Sequence, residues 1–253
     1  MTLIKNLILQ RVYLNMTDTK ILELKNIHLR LKSNDFEVKI LNGMDLKVDE
    51  GKAVAILGAS GSGKSSMMSV MNGLERQTEG SVMVAGHVLD KMNEDELAMF
   101  RRDNIGIILQ AFHLIPTMTA IENVAVPLEL AGVSGAEEKA KNMLIDVGLE
   151  HRMDHFPTQL SGGEQQRVAI ARAMVPQPKI LFADEPTGNL DGKTGHNIIE
   201  LIFDLKKKND ATLILITHDQ ELAERCDEIL HIQDGLITNN TDVHENEGKK
   251  VAE

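Results

Sequence analysis

Several short apolar runs along this chain show no alternation of apolar and polar positions. AVAIL at 53–57 lies between Gly51 and Gly58, and KILFAD at 179–184 and ATLILIT at 211–217 have the same character. Apolar runs of this length, bounded by turn formers, predict buried strands. Strands apolar on both faces predict a sheet covered on both sides, as in parallel α/β proteins. Between the last two runs, Ile198, Leu201, Ile202 and Leu205 recur at i, i+3, i+4 and i+7 and predict an amphipathic helix. Lys206, Lys207 and Lys208 close it, where positive charge suits a helix carboxyl end better than it argues for a binding patch. A strand–helix–strand unit results.

The rhythm changes from about 112 to 160. In AEEKAKNMLIDVG, residues Ala140, Met143, Leu144 and Val147 share one face, which predicts an inserted helical subdomain. EILHIQDGLI at 228–237 predicts a closing hairpin with Asp234-Gly235 as its turn. The polar, acidic residues 238–253 are expected to form a disordered tail, and residues 1–19 an N-terminal extension in which Met16 is a second plausible start.

Composition narrows the class. Of 253 residues, 42% are apolar and 26% charged, as in ordinary globular proteins. The net charge of −11 argues against nucleic acid as a partner, which needs clustered Lys and Arg. Cys226 is the one cysteine, so no intrachain disulfide can form, which suits a reduced, cytosolic protein. No apolar run approaches the ~20 residues that span a bilayer. The opening MTLIKNLILQRVYLNM is broken by Lys5 and Arg11 and lacks the small-residue cleavage site of a signal peptide.

The first candidate chemistry follows the AVAIL strand. Gly58-Ala59-Ser60-Gly61-Ser62-Gly63-Lys64-Ser65 matches G-x-x-x-x-G-K-[ST], sits between a predicted strand and a predicted helix, and continues into Ser66. Its glycines let backbone N–H groups turn inward around phosphate oxygens, and the helix start adds partial positive charge. Lys64 is placed to reach β and γ phosphates, and the Ser65 hydroxyl to coordinate Mg²⁺. Asp184 ends the KILFAD strand at the same sheet edge and is the candidate metal carboxylate. Glu185 is the candidate general base for an attacking water. Gln110 ends the apolar run IGIIL, His218 follows LILIT, and Asp191 lies in GNLD just past the carboxylates. Each alone is more often structural, but together they converge on one edge of one sheet.

A second anion-binding device lies about a hundred residues on. Ser161-Gly162-Gly163-Glu164 is a capping box, S-x-x-E, opening a helix. Most such boxes are only caps. The two glycines weaken a helix and make sense if a phosphate must approach the backbone.

LSGGEQQR resembles the signature motif of ABC-type ATPases, and the order of glycine loop, Gln110, signature, Asp184-Glu185, Asp191 and His218 is similar to theirs over about residues 20–237. The resemblance implies an α/β fold, a P-loop NTPase (RecA-like) core with an inserted helical subdomain. It implies ATP and Mg²⁺ as ligands, with Ser65, Gln110 and Asp184 at the metal and Glu185, Gln110 and His218 in catalysis. In that family two domains pair head to tail, so the second device serves the partner's ATP, Asp191 lies in the dimer loop and a homodimer is implied.

NEDELAMFRRDNIGIILQAFHLIPTMTAIENVAVPLELAG and LFADEPTGNLDGKTG are similar to the lipoprotein-release and macrolide-efflux branch, also called the mechanotransmission type. That likeness implies a separately encoded integral membrane partner, met at the cytoplasmic face of the inner membrane by residues 111–124. Phe112, Leu114, Ile115 and Pro116 are then interface residues, or else buried within the helical subdomain. The family's adenine-stacking aromatic falls near residue 31, where this chain has Leu31; Phe36 and Tyr13 are not at the matching position. Two other functions compete: a soluble, non-transport ABC ATPase, and a regulatory ATPase for a membrane-bound envelope enzyme. Relatives of the first kind carry long coiled-coil insertions or two fused domains, which this chain lacks.

Overall fold

The structure is a computed structural model that describes residues 20–33 and 36–242. The expected extension over 1–19, with Tyr13, lies outside the described residues. Two long antiparallel strands, β1 (Lys20–Ser33) and β2 (Phe36–Asp49), open the fold. Both change phase partway. Leu22 and Leu24 are buried in β1, then Ile27 and Leu29, with the slip at Asn26, whose φ is +48°. In β2, Leu41 is buried and then Met44, Leu46 and Val48, with Gly43 at the slip. Such bulges let each strand keep its apolar side on the core while twisting.

The next run forms β3 (Ala53–Leu57), which feeds α1 (Lys64–Met71) through the glycine loop. β4 (Glu79–Val84) and β5 (His87–Val88) complete an antiparallel sheet of order β2-β1-β4-β5. α2 (Glu94–Asn104) begins at a capping box between Asn93 and Glu96 and leads directly into β6 (Ile105–Leu109). The insertion follows, as α3 (Ala120–Leu130) and α4 (Ala136–Asp146), and returns through α5 (Gly162–Met174) to β7 (Ile180–Asp184). α6 (Gly192–Lys208), β8 (Thr212–Ile216), the short α7 (Gln220–Ala223) and the hairpin β9 (Glu228–Gln233) and β10 (Leu236–Asp242) close the chain.

The second sheet has the order β10-β9-β3-β8-β7-β6, parallel except for β10. Its central strands are buried on both sides because they divide their residues between two cores. Val54, Ile56, Phe182, Ile214 and Ile216 pack with β1, β2 and α1. Ala53, Ala55, Leu57, Leu181, Ala183, Leu213 and Leu215 pack with Val124 of α3, Leu144 of α4, Val168 of α5 and Ile198 of α6. The inserted helices therefore share a core with the sheet rather than enclosing one of their own. Asn123, fully buried on α3, secures the preceding loop. Its Oδ1 accepts from the Ile115 N–H at 2.7 Å, and its Nδ2 donates to the carbonyls of Ile115, Met118 and Thr119.

The tail is shorter than expected. β10 continues to Asp242, with Asn239, Asn240, Thr241 and Asp242 paired to His231, Leu230, Ile229 and Glu228. This segment is an edge strand, where polar residues are normal, so its composition hid it. The Asp234–Gly235 turn of this hairpin is wedged against the glycine loop. Gly235 donates to the Ser62 carbonyl at 3.0 Å and accepts from the Asn42 N–H at 2.9 Å. A Cβ on Gly235 would lie 2.2 Å from the Ile40 carbonyl oxygen, so no side chain fits there. Cys226 is buried, and burial pushes its thiol up to about 12, as expected of a packing residue. Among the described residues no helix is long and apolar enough to cross a membrane.

Candidate functional site

The carboxyl ends of β3, β8, β7 and β6 lie side by side, and four segments of interest leave from them. β3 runs into the glycine loop, β8 into Thr217 and His218, β7 into Asp184-Glu185, and β6 into Gln110. A cavity of about 640 Å³ opens between them. Its walls include Gly58, Ser60, Gly61, Gly63, Lys64, Ser65, Ser66, Gln110, Asp184, Glu185 and His218, together with Ile40 of β2. Gly63 caps α1 with φ +103°, a left-handed conformation that aims the following N–H groups into the cavity and that glycine adopts without strain. Ser62 does not line this cavity: its hydroxyl is buried beside Gly58, with no hydrogen-bond partner among the described residues.

Lys64 folds back over its own loop, donating from Nζ to the carbonyls of Gly58 at 2.8 Å and Ala59 at 2.9 Å. Ser65 Oγ donates to Asp184 Oδ2 at 3.2 Å. Burial pushes the Asp184 carboxyl above the ordinary range, Ser65 opposes this, and the neighbouring Glu185 adds to it. A half-buried carboxylate beside a hydroxyl, with an amide on the same wall, is a set of hard oxygen donors. That set fits Mg²⁺, which binds one or two protein groups and takes the remainder from phosphate and water.

Glu185 occupies an unusual backbone position. Its φ is +43°, in the left-handed region that bulky residues avoid. The conformation is held by its N–H donating to Ile216 at 2.9 Å and its carbonyl accepting from Gly188 at 3.0 Å. The buried Gln166 of α5 donates to the next carbonyl, that of Pro186, at 2.8 Å. Strain held by surrounding bonds is typical of functional positions. The Glu185 carboxylate lies 3.4 Å from His218 Nδ1. Asn189, which the sequence did not single out, donates to the Gln110 carbonyl at 2.9 Å and so ties the end of β6 to the segment after β7.

Ser161, Gly162, Gly163, Glu164 and Asp191 do not line this cavity. Ser161 and Glu164 form the expected capping box: Glu164 accepts from the Ser161 N–H at 2.8 Å and its own N–H donates to Ser161 Oγ at 3.3 Å. Asp191 caps α6, accepting from Thr194 N–H at 3.0 Å, and those Thr194 bonds hold its carboxyl below the usual range. Gly163 has an internal reason that the sequence did not reveal. A Cβ there would sit 2.6 Å from Thr194 Cγ2, where α5 crosses α6. At Gly162 the added carbon would meet only ordinary contacts, 3.4 Å from Leu190 and 3.8 Å from Phe112. Gly163→Ala is therefore expected to cost about 1–3 kcal/mol through overpacking. Thr194→Ser, which removes the offending methyl, is expected to restore most of the loss, as read by thermal denaturation. An unchanged melting temperature in Gly163→Ala would show that packing does not require the glycine.

The loop after Gln110 is pinned by its backbone. Arg172 of α5 donates to the carbonyls of Phe112 at 2.9 Å and His113 at 2.7 Å, and burial lowers its pKa. Leu114 packs against the core, Phe112 and Ile115 are half-buried, and Pro116 is exposed. Of the four, Leu114 is thus the one packed within the helical core. Leu31 pairs with Val38 of β2 and is 46% exposed. Asn123 and Arg172 act on carbonyls, which leave no trace in sequence, although the Thr119–Glu122 capping box that starts α3 is legible in TAIE.

Comparison with known proteins agrees with this architecture. The family model described as ABC transporter matches residues 41–188. The uncharacterized ABC transporter ATP-binding protein YbbA of Escherichia coli K12 is 45% identical over 219 residues, which cover 86% of this chain and 96% of YbbA. The lipoprotein-releasing system ATP-binding protein LolD of Acinetobacter baylyi is 43% identical, covering 85% of this chain and 96% of LolD. The dimeric post-hydrolysis structure of the ATP-binding cassette MJ0796 bound to ADP and Pi superposes with a TM-score of 0.81 at 38% identity, covering 88% of this chain and 98% of that one. The resemblance carried by LSGGEQQR and the P-loop NTPase fold expected from it are both borne out. This chain belongs to the ABC transporter family, among its ATP-binding proteins.

Proposed function

We propose that the chain binds ATP with Mg²⁺, hydrolyses it in a head-to-tail homodimer, and powers a separate integral membrane partner from the cytoplasmic face of the membrane. The observation that carries this is the division of the motifs. The glycine loop, Gln110, Asp184, Glu185 and His218 share one cavity, whereas the Ser161–Glu164 turn lies outside it. A phosphate-facing turn unused within one chain is accounted for by a second copy. The MJ0796 relative, a dimer holding ADP and Pi, supports both the pairing and the hydrolysis.

In this reading the loop N–H groups and the α1 N-terminus receive the phosphates. Lys64 exchanges the Gly58 and Ala59 carbonyls for phosphate oxygens. Ser65, Asp184 and Gln110 hold Mg²⁺, which when bound neutralises charge on the β and γ phosphates. Glu185 takes the proton from the attacking water, and His218, 3.4 Å from it, orients that carboxylate and the γ-phosphate. Ser161 and Gly162 complete the partner's site, with Asp191 beside them in the dimer loop. Phe112, Ile115 and Pro116 face the membrane partner, while Leu114 anchors their loop to the core. Leu31 gives the base no ring to stack on, so nucleobase selectivity is loose. The LolD relative's lipoprotein-releasing role supports a membrane system of that kind.

The test is affinity purification of the Glu185→Gln protein with ATP from solubilised membranes, followed by mass spectrometry. Recovery of an integral membrane protein in equal amount is the expected result. A soluble partner or ribosomes instead would move the function to a non-transport role.

A further inference from the structure

Two glycines follow Ser161 and weaken the first turn of α5, so its shape rests on the capping box between Ser161 and Glu164. Its order depends on Glu164, whose two oxygens have separate partners. Oε2 accepts from the Ser161 N–H at 2.8 Å. Oε1 accepts from Arg152 Nε at 2.9 Å, and Arg152 Nη1 lies 3.1 Å from His155 Nε2. The Ser161 backbone, Ser161 hydroxyl and Arg152 together hold the Glu164 carboxyl below the usual carboxylate range. The arginine side chain is 37% exposed and the carboxylate 22%, so the pair is partly withdrawn from solvent.

Arg152 ends a single 3₁₀ turn, Glu150–Arg152, and the residues after it are fastened to another element. The carbonyls of Met153 and His155 accept the N–H groups of Ile121 and Ala120, the first donors of α3, at 3.0 and 2.9 Å. One short stretch therefore clasps the start of α3 and the start of α5 together. Neither Arg152 nor His155 lines the glycine-loop cavity.

We propose that Arg152 is a positioning residue for the signature turn: by fixing the free oxygen of Glu164 it keeps the Ser161 hydroxyl and the Gly162 and Gly163 N–H groups aimed at ATP carried by a second copy of this chain. This rests on the head-to-tail pairing proposed above. Losing Arg152 then weakens the union of two chains around ATP and leaves each chain's own hold on the nucleotide intact. A general packing role would instead damage both.

The test measures ATP-dependent dimerisation by analytical ultracentrifugation in the Glu185→Gln background. Glu185→Gln alone is expected to dimerise with ATP, and adding Ser161→Arg to abolish this. Adding Arg152→Ala instead is expected to weaken the dimer about tenfold or more. Binding of a fluorescent ATP analogue by dilute monomer and the melting temperature are expected to stay unchanged. Arg152→Lys is expected to recover most of the affinity, since an ammonium still reaches one carboxylate oxygen. An Arg152→Ala dimer as tight as the parent overturns the proposal. An equal loss of monomer binding or melting temperature also overturns it, leaving only a packing role. If Glu185→Gln itself fails to dimerise, the head-to-tail reading fails first, and the role of Arg152 goes with it.

Discussion

Lys64→Ala is expected to abolish hydrolysis and to weaken ATP binding by about ten- to a hundredfold, since a hydrogen bond to a charged group contributes about 1.5–3 kcal/mol. The reason lies in what Lys64 does without nucleotide. Its ammonium donates to the carbonyls of Gly58 and Ala59. Those are neutral acceptors, and phosphate oxygens carrying full charge replace them at a gain. Alanine removes that gain while leaving the loop N–H groups in place, so residual binding persists. The fold is expected to survive, because the Lys64 ammonium bonds to carbonyls of its own loop and the turn is braced independently by Gly235 at Ser62. Calorimetric titration with ATP and a phosphate-release assay check the prediction, with the melting temperature as control. Hydrolysis at the parent rate by Lys64→Ala would remove the glycine loop from the mechanism.

The parts of the fold that were legible in sequence share one physical property. β3, β7 and β8 are buried on both faces, so their apolar runs stand out, and the groups that follow them fall on one sheet edge by sequence alone. β1 and β2 did not stand out, although they are the longest strands. Their bulges at Asn26 and Gly43 shift the apolar phase, so the period-two signal cancels over the strand's length. The outer part of β10, residues 238–242, was read as tail because an edge strand needs few apolar residues. At the site, the groups that bear chemistry were legible because their motifs are local. The groups that hold them were not: Asn189 at Gln110, Gln166 at Pro186, Asn123 at the loop before α3 and Arg152 at Glu164 act outside any local motif, mostly on backbone carbonyls. Gly163 is the instructive mixture. Its place in a motif suggested phosphate approach, and the fold adds a close crossing with the Thr194 methyl that disfavours a side chain there as well.

Glu185→Gln is expected to slow hydrolysis by about a hundred- to ten-thousandfold, the usual contribution of a positioned general base, while preserving ATP binding. The substitution is close to isosteric, so the amide keeps a polar contact with His218 where the carboxylate now lies at 3.4 Å. The backbone at this position is held by Ile216 and Gly188 rather than by the side chain, so its strained geometry is expected to persist. What disappears is the proton acceptor, together with a negative charge beside Asp184 that resists the approach of an anionic phosphate. Both changes act in one direction. ATP binds at least as well, cannot be consumed, and holds the two chains closed, because opening follows hydrolysis and release. Gel filtration with ATP and Mg²⁺ is therefore expected to show a stable dimer for Glu185→Gln and a transient one for the parent. Phosphate release is expected to fall to near background. A variant that stays monomeric with ATP and hydrolyses at the parent rate would show that the base is another group, with His218 the next to test.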